Sequence, residues 1–214
     1  MRKPSPYIAI ANIPTRLARL RERGDYQCSF GADSHRFKLN SPIREAEIVK
    51  FERHHNINLP PDYRLFLLIA GNGGAGPDYG VHKLGCADED KPWRPDDWLI
   101  GDLSAPFPHT QAWNPVPFTA AGEGPDDAAL EAIQAEYFAL KHVNGAIPIC
   151  QRGCNLRFWL VITGTATGHV WYDRRVEWNG LSPVKSGAAK RASFVDWYCD
   201  WLDETERKSG IDFK

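Results

Sequence analysis

No stretch of the 214-residue sequence approaches the about 18 consecutive apolar residues of a membrane-spanning helix. Cysteine is sparse and odd in number. Cys28, Cys86, Cys150, Cys154 and Cys199 suit reduced, mostly buried thiols better than a disulfide framework. Net charge is nearly absent, at −1 by formal count, so no global field draws the chain toward nucleic acid or an anionic membrane. Low-complexity tracts and internal repeats are missing. The opening MRKPSPYIAIANIPTRL is basic, but its apolar run is five residues long and Pro14 and Arg16 follow closely, unlike a secretory signal. These absences predict a cytoplasmic protein.

What is present is apolar mass and uneven charge. Hydrophobic residues make up 43% and aromatics 12%, enough for a packed core. Met1 to Arg23 carries six basic residues against Glu22. Cys86 to Asp127 carries nine acidic residues against Lys91 and Arg94. That middle segment is either a solvated loop region or a surface that meets a basic partner.

Residues 68–80 read LIAGNGGAGPDYG and match G-x-G-x-x-G at Gly71, Gly73 and Gly76. A dinucleotide-binding fold places these glycines after a strand and before a helix, whose N-terminus faces the phosphates. Here they follow a predicted helix that starts near Pro61 and buries Tyr63, Phe66, Leu67 and Ile69. Phosphate would meet carbonyl oxygens and the negative end of the helix dipole. The glycines read instead as a helix stop, with Gly71 left-handed, and a turn into the strand-like YGVHKL.

Residues 14–24 predict a short basic helix with Leu17 and Leu20 on one face, and Phe37 and Leu39 a short strand. SPIREAEIVKFERHH predicts a helix with Ser41 as N-cap, Pro42 at its first position, and Ile48 and Phe51 inward. Residues 85–124 are turn-rich, with Trp93, Trp98 and Trp113 to pack them down. GPDDAALEAIQAEYFALKHVNG predicts a helix whose stripe is Leu130, Ile133, Tyr137 and Leu140. AIPIC, LRFWLVITG and HVWYDRR, joined by RGCN and TATG, predict an antiparallel meander, with a further strand allowed at 174–180. SFVDWYCDWLDETER closes as a helix capped by Ser193, with Phe194, Trp197, Tyr198, Trp201 and Leu202 inward.

Motifs for chemistry are scarce. Cys150-x-x-x-Cys154 straddles a hairpin turn and lacks a second pair at zinc-ligand spacing. His54-His55 has no HExxH context. No G-x-S-x-G elbow, P-loop, kinase set or deaminase signature occurs. Eight tryptophans fall mostly in strand and helix patterns that already need core residues, rather than forming a stacking platform.

LPPDYRLFLLIAGNGGAG followed by YGVHKL resembles the SUKH superfamily, which joins bacterial immunity proteins and a yeast cell-wall regulator. IPICQRGCNLRFWLVITGTATGHVWYD resembles the family's central strands, ending in a Gly-x-Val-Trp-like element at Gly168 to Trp171. SFVDWYCDWLDE resembles its C-terminal helix. The likeness covers roughly residues 41–85 and 146–205, with two departures. Asn155 stands where the family's turn has glycine, and Cys86 to Asn144 is longer than in compact members.

The resemblance implies an α+β fold, a mainly antiparallel β-sheet flanked by helices. It implies one domain over 1–214, with a helical extension at about 1–40 and an insertion at about 86–144. It implies a cytosolic immunity protein, not an enzyme, that binds and neutralises a cognate toxin, expected to be a nuclease or other nucleic-acid-modifying enzyme. The alternative is a regulatory scaffold module of the same family, and a third reading is a hydrolase using Cys150 or Cys154 with a histidine. No cofactor, metal, nucleic acid or membrane is expected as a partner. Nuclease toxins tend to be basic because they hold phosphate, so the predicted contact surface is acidic and aromatic. It comprises Asp78, Tyr79, Asp88, Glu89, Asp90, Trp93, Asp96, Asp97, Glu123, Asp126 and Asp127. Asp126 and Asp127 also have an explanation as helix-start charges.

Overall fold

The computed structural model describes residues 4–87, 91–93, 99–115, 127–187 and 190–211, without the side chains of residues 127 and 128. Helix α1 spans Pro6–Arg23 and so begins well before the expected Pro14. Ile10, Ile13, Leu17 and Leu20 lie on one stripe and are all buried. Pro14 cannot donate to the preceding turn, a loss of about 3 kcal/mol inside a helix. Burying Ile10 and Ile13 contributes about 1.5–3 kcal/mol each and offsets it. The Ser5 hydroxyl caps the start, accepting the Ile8 N–H at 3.4 Å.

A short helix α2, Ala32–His35, follows. Helix α3, Glu45–His55, starts later than its sequence signal at Ser41–Pro42. Tertiary hydrogen bonds explain the delay. The Ile43 N–H donates to the Leu67 carbonyl at 3.1 Å, and the Ser41 carbonyl accepts from the Asn72 N–H at 3.2 Å. Arg44 becomes the N-cap, its N–H taken by the Glu47 carboxylate at 3.0 Å.

Helix α4 spans Pro61–Ile69 as expected, with Tyr63, Phe66 and Leu67 buried, but Ile69 is exposed. Gly71 is not the left-handed stop. A Cβ there would stand 2.5 Å from the Asn40 carbonyl oxygen, so close backbone approach requires it. Positive φ falls at Gly73 and Gly74 instead (75° and 98°). YGVHKL contributes Val81 alone as bridging backbone, paired with Gly74 and Cys150, and Leu39 also bridges Gly74.

Strands β1 (Cys86–Ala87) and β2 (Lys91–Pro92) pair as a small antiparallel ribbon. Helix α5 spans Asp127–Tyr137 and stops short of Leu140. There the Arg175 guanidinium takes the Tyr137 carbonyl at 3.3 Å, and Leu140–Val143 form a separate 3₁₀ turn.

Strands β3 (Ala146–Gly153), β4 (Leu156–Val161), β5 (Val170–Asp173) and β6 (Leu181–Pro183) form a four-stranded antiparallel sheet in chain order. Between β5 and β6 the chain makes a 3₁₀ turn at Arg175–Glu177 rather than a strand, because Asp173 accepts the Arg175 N–H at 3.0 Å. Strands β7 (Lys185–Ser186) and β8 (Lys190–Arg191) pair with each other. Helix α6, Phe194–Lys208, is capped by Ser193 as expected.

The sheet buries both faces, which is why its strands read as nearly continuous apolar runs. Ile147, Ile149, Phe158, Leu160 and Val170 join the core built with α1, α4 and α6. Ala146, Trp159, Val161, Trp171 and Leu181 turn the other way, onto Phe107 and Val143. Arg16 clamps α1 to α6, its Nε donating to the nearly buried Glu206 at 3.0 Å. The result is the α+β arrangement, a mainly antiparallel sheet flanked by helices, that the family resemblance implies. No helix among the described residues is long and apolar enough to cross a membrane.

Candidate functional site

Among the described residues, no group of three or more His, Cys, Asp or Glu is placed to hold a metal ion. Cys150 is buried, and its thiol donates to the Pro77 carbonyl at 3.2 Å. Burial pushes that thiol well above its ordinary pKa, the opposite of what activates a nucleophile. Cys154 is exposed at the β3–β4 turn, where it and Asn155 both take positive φ (49° and 60°).

The turn after the glycine loop builds the first candidate surface. Asp78 takes a left-handed φ of 50°, and its carbonyl packs on Gly31, where a Cβ would stand 2.1 Å from the Asp78 oxygen. The Tyr79 N–H reaches the Gln151 carbonyl at 3.4 Å, which docks the turn on β3. Tyr79 therefore stands out from a fixed backbone, 43% exposed, with Phe30 beside it at 55%. Their ring centroids are 5.3 Å apart. The Arg152 guanidinium lies 5.8 Å from the Phe30 ring centre, and its Nε is 3.8 Å from the Asp78 carboxylate. Burial raises the Asp78 carboxyl above its ordinary range, and Arg152 partly opposes that.

The predicted contact residues divide as follows. Asp78 and Tyr79 come together on this surface. Trp93 lies elsewhere, half-buried against Phe51 at a centroid distance of 5.8 Å. Asp127 opens α5, and its side chain lies outside the description. Asp88, Glu89, Asp90, Asp96, Asp97, Glu123 and Asp126 lie outside the described residues. Sequence reading missed Phe30 and Arg152. The available signal was an aromatic in a polar stretch with no periodic partner, and an arginine beside a hairpin turn.

A second concavity of about 360 Å³ opens on the other sheet face, between Phe138, Leu140 and Val176. Its floor is a closed polar network. The buried Asp173 carboxylate accepts from Trp159 Nε1 at 3.1 Å and from Arg175 Nε and Nη2 at 3.0 and 2.7 Å. A carboxylate so fully occupied suits structure rather than proton transfer.

The model of the SMI1 / KNR4 family (SUKH-1) matches residues 42–186. That match spans α3, α4 and the whole four-stranded sheet. No curated protein and no solved structure matches the chain.

Proposed function

The chain belongs to the SMI1 / KNR4 family (SUKH-1), and from that premise we propose that it is a cytosolic immunity protein. It binds a cognate toxin one to one and blocks it, with no chemistry of its own. The family match carries this reading. The raised Cys150 thiol and the fully occupied Asp173 agree with a binding role.

The partner we propose is a basic toxin, a nuclease or other enzyme that holds phosphate. The acidic excess between Cys86 and Asp127 steers the encounter, and that insertion sets which toxin is recognised. Asp88, Glu89, Asp90, Asp96, Asp97, Glu123, Asp126 and Asp127 supply the charge, and Asp78, Tyr79 and Trp93 the aromatic and polar contacts.

Protection of growth tests the function. The product of the neighbouring gene, where the immunity reading places the toxin, is expressed in a foreign host, with and without the chain. Growth restored by co-expression is expected. Toxicity that persists while both proteins accumulate as folded species would contradict the immunity reading and favour a scaffold of the same family.

A further inference from the structure

Two of the exposed large hydrophobics, Phe30 and Tyr79, stand together, and a guanidinium stands with them. Their exposure is not a by-product of a loose loop. Gly31 packs on the Asp78 carbonyl, the Tyr79 N–H is bonded to Gln151, and Val81 bridges Cys150 just beyond. A rigid aromatic pair with an arginine at its edge has the composition of an interface hot spot. Little conformational entropy remains to be lost when it binds.

The polar atoms of the cluster identify the complementary group. The Tyr79 hydroxyl makes no hydrogen bond to a protein acceptor among the described residues. Arg152 meets Asp78 only at 3.8 Å, beyond hydrogen-bond reach, and so keeps its forked donors for another acceptor. The pair is also lopsided, with Arg152 51% exposed and Asp78 only 12%. The cationic end thus faces outward while its counter-charge lies beneath. Two kinds of donor, one of them charged, beside a bare aromatic face call for a carboxylate flanked by apolar side chains.

We propose that Phe30, Tyr79 and Arg152 form a docking site for an acidic side chain set among apolar residues on the surface of the protein partner. The inference deepens the immunity reading and takes from it that the partner is a protein. The two charge patterns divide the labour. The acidic insertion attracts a basic protein from a distance, and this site anchors one of its carboxylates at contact.

The first test needs no toxin. Acetyl-Leu-Asp-Leu amide is titrated into the ¹⁵N-labelled full chain, with acetyl-Leu-Lys-Leu amide as the control. Expected are saturable shifts of the amides of Phe30, Tyr79, Arg152 and Gly153, with a Kd of roughly millimolar for so small a probe. The lysine peptide should leave these amides in place, and Arg152→Gln should abolish the response while its spectrum remains that of the folded chain. Equal responses to the two peptides, or shifts confined to other surfaces, would overturn the proposal.

The second test uses the toxin identified by the growth-protection assay. Arg152→Gln and Phe30→Ala are each expected to weaken the complex about tenfold or more. Variants that bind as tightly as the unaltered chain would sink this site and leave the immunity reading intact. Binding of the aspartate peptide without any toxin complex would sink the immunity reading and support the site as one for another protein.

Discussion

Asp173 and Arg175 are both about 8% exposed, and each satisfies the other within a closed network. Asp173→Ala leaves the guanidinium charged and desolvated, so a loss of about 3–5 kcal/mol is expected from urea unfolding. Arg174→Ala, at an exposed pair with Glu177, should cost less than about 1 kcal/mol in the same assay. Burial pushes His35 and His109 down to about 4, with His142 adding to the effect at His109. In the unfolded chain these imidazoles titrate near 6.5. Between those values the unfolded chain binds more protons, so stability is full above about pH 6.5 and falls as pH drops toward 4. The urea midpoint should therefore be lower at pH 5.5 than at 7.5, and a His35→Gln, His109→Gln variant should lose most of that difference. An unchanged difference would contradict the assignment. At this scale the sequence was least legible. Phe30 and Arg152 are far apart in the chain; the packing of Gly31 on Asp78 brings Phe30 beside Tyr79, and the Tyr79 N–H bond to Gln151 brings Arg152 there.

The elements were legible wherever periodicity and capping agreed. In α6 the Ser193 hydroxyl accepts the Asp196 N–H at 3.2 Å and Asp196 returns the bond, so the sequence signal and the geometry coincide. Ser193→Ala should cost about 1 kcal/mol. Asp62 limits the loss, because its carboxylate independently takes the Val195 N–H at 3.0 Å. A cost above about 2 kcal/mol would mean that Ser193 does more than cap. Boundaries moved where distant groups competed for backbone. Leu67 and Asn72 hold Ile43 and Ser41 and delay α3, while Arg175 takes the Tyr137 carbonyl and α5 ends there. Neither competitor is near in sequence, so no local pattern signals it. Pro14 misled in the other direction, since the burial of Ile10 and Ile13 carries the helix through it.

At the scale of the whole molecule, order and spacing of weak marks carried more than any one motif. The glycine run, the strand block and the Ser-Phe helix start are each common, yet together they pointed to the family whose model matches residues 42–186. The glycine run alone suggests a nucleotide; the helix before it turns the reading toward a structural turn. Charge is the other property of this scale, balanced overall and segregated along the chain. If that segregation steers a basic toxin, the association rate should fall steeply with added salt while dissociation changes little. The most direct measurement is titration calorimetry of this chain with the product of the neighbouring gene, where the immunity reading places its toxin, at low and high salt. A tight one-to-one complex whose affinity falls with salt is the predicted result. The absence of binding at either salt concentration, with both proteins folded, would contradict the immunity function itself.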